Sequence, residues 1–365
     1  MKVYYIGNNA EGCYQVRCML PQVHNNWKGS MNNLVELPKD NEQMFLEAMK
    51  SDVIVFQRPI EEEKLKSVKL LKEAGKIVVF DNDDTYKADS GIPMVLKGKR
   101  NTEYFNKCNR VLNGFIKEAD LVTTTTEFLA KEYRQYNKNV VVLPNCIDPF
   151  NWNEPKRNKG DKVRIGFVGS VTFNDEYKHI QGTLDYLKKR DDVEIIVYGL
   201  PPDKDPKYKL QRKLYRSQLN FWRKYADERV PQSRMYQYFD NINDIELDLV
   251  IIPRKDNYFN RCKSNIKFLE MSMLEIPVVA QSFPDGLSPY DKDINGSNGL
   301  LAKDDEDFKE KVTLLIENKE LRRKMGKEAK KYVLKNYNIE NKAHLWADTY
   351  LKTYKKLYEK RNNQK

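Results

Sequence analysis

Histidine and cysteine are scarce in this 365-residue chain, and the few present are scattered. The three histidines (His24, His179, His344) lie far apart, and the five cysteines (Cys13, Cys18, Cys108, Cys146, Cys262) include no CxxC pair. An odd, dispersed set of thiols builds no disulfide scaffold, and without clustered Cys or His there is no zinc-ligand spacing. That usage fits a reducing cytoplasm. Also missing is any run near the ~18 consecutive apolar residues of a membrane helix. Met1-Lys2 leads directly into Val3-Tyr4-Tyr5-Ile6, which reads as a short strand and not as the core of a signal peptide. A secreted mini-domain, a membrane channel and a zinc finger are thereby excluded.

Charge and aromatic residues are plentiful. The chain carries 64 Lys+Arg against 53 Asp+Glu, a formal net charge of +11, and 11% of its residues are aromatic. A basic balance suits nucleic acid, an anionic membrane or phosphate-bearing ligands. The richness in Lys, Asn, Tyr and Ile is also the bias of an AT-rich genome, which raises charge without a partner. With 40% hydrophobic residues, the length suffices for two domains of ~100–200 residues each.

Apolar runs alternate with helical periodicity. Lys2–Gly7, Asp52–Phe56, Ile77–Phe80, Leu121–Thr124 and Val140–Leu143 read as buried strands, with helical patterns around Phe45–Met49 and over Lys64–Ala74. Between Asp148 and Asp161 the chain turns polar and loses periodicity. The alternation restarts with Val163–Val168, Glu194–Tyr198, Leu247–Ile252 and Pro277–Ala280, and Arg322–Lys360 reads as largely helical. Continuous apolar strands between helices predict α/β architecture, two Rossmann-like doubly wound domains with ligands at strand C-terminal ends facing a central cleft. The expected division is 1–150, 151–340 with a basic, aromatic helical insertion over 201–230, and a C-terminal helix, 341–365, packing back on the first domain.

Two segments suit phosphate chemistry. Gly166-Phe-Val-Gly169-Ser170 is a strand ending in a tight turn, with Lys178 following, and is either an anion site or a plain turn. In the run from Asn260 to Ala280, Ser264, Asn265 and Ile266 stand at a helix start, where N–H groups and the macrodipole favour an anion. Arg261, Lys263 and Lys267 add positive charge, and Glu270 one turn on is suited to a ribose diol. An ordinary capped surface helix has the same spacing.

That run, KSNIKFLEMSMLEIPVVA, with Pro289-Tyr290 and Asn295–Leu301 after it, resembles the donor-binding region of GT-B glycosyltransferases, in particular the family-four-like group. Ala119–Phe128 and Leu143–Asp148 resemble the family's passage out of its first domain, and the GFVGS turn with Lys178 its phosphate-contacting region. The resemblance implies a retaining transfer of a sugar, hexosyl or pentosyl, from a nucleotide donor (a UDP- or GDP-sugar) to a hydroxyl acceptor such as a cell-surface glycan precursor, with no tightly bound cofactor and no metal. It places the ribose on Glu270, the diphosphate on the amides of Ser264–Ile266 and near Gly169 and Ser170, and neutralising charge on Lys178 and Lys263. The family's first Glu, eight residues earlier, is replaced here by Cys262, and its first-domain His has no clear equivalent. In that place stands Phe80-Asp-Asn-Asp83-Asp84-Thr-Tyr86, a strand end suited to contacting acceptor hydroxyls, capping the next helix or holding a metal. Gly12, Arg17 and Arg58 are further candidate cleft residues.

Other readings compete. Arg212, Lys213, Arg216 and Trp222 in the 201–230 segment suit phosphate contact and base stacking, so a hydroxylated base in DNA is an alternative acceptor; the same segment also reads as a helical pair with its aromatics turned inward. Lys97, Lys99, Arg100, Lys107 and Arg110, with Tyr104, Phe105 and Leu112, could lay a basic face on an anionic membrane, making the protein peripheral to the inner membrane face. The absent first Glu also admits a catalytically silent nucleotide-sugar-binding protein, and the two-domain scaffold an epimerase.

Overall fold

Five short, buried and mostly apolar runs form the first sheet: β1 (Val3–Ile6), β2 (Val53–Gln57), β3 (Ile77–Asn82), β4 (Leu121–Thr124) and β5 (Val140–Val142). All neighbours are parallel and the spatial order follows the sequence, β1-β2-β3-β4-β5. The computed structural model describes residues 1–7, 12–25, 41–92, 99–170, 176–202, 206 and 209–362. The chain divides into two units, one of residues 1–148, 262–264 and 337–365 and the other of 149–261 and 265–336.

Sequential parallel strands joined by right-handed crossovers send the crossover helices to the same face, although the β1–β2 connection also gives helical residues 12–24 to the opposite one. The side chains bear this out. Phe56 of β2 and Phe80 of β3 pack on Phe115 from helix 99–118, and Phe80 also meets Tyr133 from helix 127–133. Helix 62–73 lies against helix 99–118, Leu65 filling the space over Gly114. The opposite face carries Val3, Tyr5, Val53, Val55, Ile77, Val79 and Leu121. It is covered by Tyr14, Cys18 and Leu20 and by Ile339, Ala343, Trp346 and Tyr350 from the C-terminal residues. The chain's exit and return are paired there: Ile147 N–H donates to the Tyr337 carbonyl at 2.8 Å, and Ile339 N–H to the Ile147 carbonyl at 2.9 Å.

The second sheet holds β6 (Val163–Val168), β7 (Val193–Leu200), β8 (Glu228–Pro231), β9 (Leu249–Ile252), β10 (Val278–Gln281) and β11 (Leu300–Ala302) in the order β11-β10-β9-β6-β7-β8, all parallel. Winding starts at β6 in one direction and resumes at β9 in the other. The switch point therefore falls between β6 and β9, where doubly wound sheets take ligands at the strands' C-terminal ends.

Within the 201–230 segment the expected helices lie between two strands of the second sheet. Helices 209–214 and 216–225 form the crossover from β7 to β8, and β8 is a strand absent from the sequence reading because an exposed edge of composition ERVP has no apolar run. Trp222 is fully buried, its ring 5.0 Å from Phe167 and 4.9 Å from Tyr177, so it is a core residue and cannot stack on a base. Tyr215 and Tyr225 are likewise buried. Arg212 donates to the Pro202 carbonyl at 2.6 Å, while Lys213 and Arg216 are exposed. Lys207 and Tyr208 lie outside the described residues. On helix 99–118 the basic face keeps only part of its apolar complement: Phe105 and Leu112 are buried in the core, while Tyr104 is exposed with Lys107 and Arg110. Lys97 and the side chains of Lys99 and Arg100 lie outside the description. Among the described residues no helix is long and apolar enough to cross a membrane.

Because Trp346 supplies the largest of the fully buried side chains that cover this sheet face, Trp346→Ala should destabilise the protein by about 3–5 kcal/mol. Urea unfolding followed by circular dichroism measures it, and a change under 1 kcal/mol would show that the face does not depend on this helix.

Candidate active site

The β6/β9 switch point is built from backbone first. Gly169, at the end of β6, donates its N–H to the Tyr198 carbonyl at 3.2 Å. Gly199 at the end of β7 has φ of +99°, and a Cβ there would lie 2.0 Å from the Gly169 carbonyl oxygen, so two backbones run in direct contact beside the turn. Ser170 is exposed; Val171–Asp175, which follow it, lie outside the described residues. Glu176 re-enters buried. Its Oε2 accepts the Lys255 N–H at 2.5 Å and its Oε1 accepts Asn260 Nδ2 at 3.0 Å, tying the β6 loop to the β9 loop. Lys178, two residues on, is exposed.

Arg254 follows β9 by two residues. Burial alone would lower its pKa, but the fields of Tyr290 and Glu176 outweigh it and keep the guanidinium charged. Neither Glu176 nor Arg254 stood out in the sequence; the signal for Arg254 was its place just past a strand's C-terminal end.

Helix 266–273 leads from this loop into β10. Asn265, its N-cap position, is buried with its Nδ2 donating to Asp293 Oδ2 at 2.7 Å, and Asp293 Oδ1 accepts Tyr332 Oη at 2.8 Å. The Asn265 side chain is thus engaged in the core, and what the helix start offers a ligand is backbone N–H, including that of half-buried Ile266. Glu270 lies one turn further. Its Oε2 accepts both Lys267 Nζ at 2.6 Å and Tyr238 Oη at 2.7 Å. Cys262, where the resembled family carries a first Glu, is fully buried, and burial pushes its thiol well above the ordinary value.

A second cluster lies in the first unit, at the C-terminal ends of β2 and β3. Arg58 has φ of +48°, a left-handed conformation costly for a residue with a side chain. Its N–H donates to the Asp81 carbonyl at 2.9 Å, and its Nη2 reaches Asp83 Oδ1 at 2.6 Å and Cys13 Sγ at 3.4 Å. Asp84 Oδ2 accepts Lys263 Nζ at 2.6 Å, and Asp84 Oδ1 accepts the Thr85 N–H at 2.9 Å. The acidic strand end therefore neither caps a helix nor gathers as bare carboxylates; each Asp faces a cation. Burial alone would raise the Asp83 pKa, but Arg58 above all holds it below the usual carboxylate range. Burial, then Asp83, pushes the Cys13 thiol up to about 12. Ser264 Oγ accepts Asn145 Nδ2 at 2.8 Å. Gly12 is half-buried at the start of a short helical turn, and Asn8–Glu11 before it lie outside the description.

Arg17 is not open to a ligand. It has no exposed surface and pairs in parallel with Asp81, Nε to Oδ1 at 3.0 Å and Nη2 to Oδ2 at 2.6 Å. Its Nη1 donates to the Leu143 carbonyl at 2.6 Å and to Asn145 Oδ1 at 3.3 Å, and its guanidinium lies 5.8 Å from the Trp346 ring centre. It fastens the first unit's core.

Comparison with known proteins agrees with this geometry. Residues 181–348 match the family model described as glycosyl transferase-like. Anabaena HepE, solved in complex with UDP and glucose, superposes with a TM-score of 0.67 over 96% of this chain and 99% of its own, at 12% identity. The fold is GT-B. Sucrose-phosphate synthase from Thermosynechococcus elongatus is a second GT-B neighbour, with a TM-score of 0.59, 12% identity, and 88% and 81% of the two chains covered. An uncharacterized glycosyltransferase of Methanocaldococcus jannaschii is 31% identical over 131 residues, which are 34% of this chain. The match spans only 30% of that relative's length.

Two outcomes follow. Arg17→Met leaves Asp81 buried without its partner and should cost about 3–5 kcal/mol in urea unfolding; a residue serving only a ligand would leave stability unchanged. Asp83 has a depressed pKa in the folded state, so it contributes stability present above its unfolded value of ~4 and lost as pH falls below it. Asp83→Asn should therefore flatten the loss of unfolding free energy between about pH 5 and pH 3, read from denaturant curves at each pH.

Proposed function

We propose that this GT-B protein is a glycosyltransferase that moves a sugar from a nucleotide-diphosphate donor to a hydroxyl group, with retention at the anomeric carbon. The observation that carries the reading is Glu270, a carboxylate held one turn into the helix that leaves the β6/β9 switch point. The glycosyl transferase-like match over residues 181–348 supports it, and the UDP and glucose bound in HepE support a nucleotide-sugar donor.

In this reading Glu270 accepts the ribose hydroxyls. The backbone amides of Ser264, Asn265 and Ile266 and the close turn at Gly169 and Ser170 take the diphosphate, and Lys178 and Lys263 neutralise it. The donor's C1–O bond breaks as the acceptor oxygen bonds to C1. The electron pair leaves with the diphosphate, whose oxygen takes the acceptor's proton. Fixed donors aimed at that developing charge are the main catalytic lever. Arg254, charged at the end of β9, is a further candidate for that field. Asp83, Asp84 and Arg58 are assigned to the acceptor, a polyhydroxyl compound such as a glycan precursor.

A thermal-shift panel of UDP, GDP, ADP, CMP and TDP tests the donor assignment. At ~100 times its dissociation constant, the cognate nucleotide should stabilise the protein by about 2.7 kcal/mol, and Glu270→Ala should abolish the shift. No shift with any nucleotide, or an undiminished one in Glu270→Ala, overturns it.

A further inference from the structure

Glu270 does not stand alone. Tyr238, on helix 235–244 between β8 and β9, places its hydroxyl 2.7 Å from Glu270 Oε2 and 3.0 Å from Lys267 Nζ, and Lys267 Nζ is itself 2.6 Å from the same Oε2. The three polar atoms close a triangle. All three side chains belong to the second unit. The Tyr238 ring is itself wedged among aromatics, 5.8 Å from Tyr198 and 6.5 Å from Trp152, so its hydroxyl has little freedom to leave. The Lys267 ammonium also sits 5.3 Å from the centre of that ring. Burial, and then the charge of Glu270, raises the Tyr238 pKa well above the ordinary value, so the hydroxyl stays protonated and donates.

Both contacts fall on one oxygen. A carboxylate fixed through Oε2 by a cation and a phenol cannot rotate freely, so its other oxygen is presented in a single direction. A diol needs that: two adjacent hydroxyls donate well to a carboxylate whose plane is already set. We infer that Tyr238 is a positioning residue that, with Lys267, orients Glu270 so that the site selects a ribose over a 2′-deoxyribose nucleotide. The inference rests on the donor reading proposed above, and concerns how the carboxylate obtains its selectivity.

The test measures dissociation constants by calorimetry for UDP and 2′-deoxy-UDP, and for the corresponding GDP and ADP pairs, with wild type, Tyr238→Phe, Lys267→Met and Glu270→Gln. Wild type should prefer the ribonucleotide by at least about ten-fold, the worth of one charge-assisted hydrogen bond. Tyr238→Phe keeps the ring packing, so its melting temperature should stay near wild type while the ribo/deoxy ratio falls several-fold toward one. Lys267→Met, which leaves the phenol in place, should lower the ratio as well. In turnover with the matching nucleotide sugar, Tyr238→Phe should raise KM more than it lowers kcat. A ratio unchanged in Tyr238→Phe and Lys267→Met but lost in Glu270→Gln overturns the inference and leaves the donor reading standing. A ratio unchanged in Glu270→Gln, or no binding of any nucleotide to wild type, overturns both.

Discussion

Handedness constrains the first unit more than any single contact does. Strands laid down in sequence order and joined by right-handed crossovers receive their crossover helices on one face only. Here that face is the one of Phe56 and Phe80, and the other, with Val55 and Val79, is covered by the first part of the β1–β2 connection and by C-terminal chain. Residues 12–24 cover part and residues 339–350 the rest. The buried Arg17–Asp81 pair lies among these elements. It joins the helix after β1, the end of β3 and the carbonyl end of β5, and it stacks near Trp346. An ion pair in such a place adds little net stability over an apolar filling, yet removing one partner is severe. It anchors the end of β3, and the next residues along the chain are Asn82, Asp83 and Asp84.

Two clusters at strand C-terminal ends follow from this frame. In the second unit the reversal of winding at β6/β9 opens the sheet, and buried Glu176 joins the two loops through Lys255 N–H and Asn260. In the first unit the left-handed Arg58 is held by its own N–H on the Asp81 carbonyl and by Asp83. Strain of that kind persists where surroundings over-determine it. The surroundings here are a charge pair and a β-sheet edge of the same residues.

Much of the fold was legible because most of its strands are buried, mostly apolar runs. DVIVF and IVVF can hardly be anything but strands buried on both sides. What escaped the sequence was polar or short: β8, whose ERVP is the dress of an exposed edge, and the three-residue β11. The site divides similarly. Glu270, Ser264 and Lys263 stand in one recognisable run. Tyr238 lies 32 positions from Glu270, and nothing in MYQYFDN hints at a phenol aimed at a carboxylate. Arg17 was misassigned, while of the two readings of Trp222 the inward one holds. An arginine near a glycine reads as a surface group, since a one-dimensional pattern cannot show that Asp81 waits across the core; nor could it decide that Phe167 and Tyr177 enclose the indole.

The cover on the first sheet also orders events in time. A chain emerging from the ribosome usually folds its N-terminal domain first. In this chain the strands of the first unit appear early, but Trp346 and Tyr350 are made only after residues 149–336. Residues 149–336 contain nearly everything the second unit needs, interrupted only by 262–264. The later domain can therefore finish before the earlier one. Until the closing helix arrives, the nascent protein holds out a sheet of Val, Ile and Tyr that residues 12–24 cover only in part, the kind of surface that holding chaperones bind.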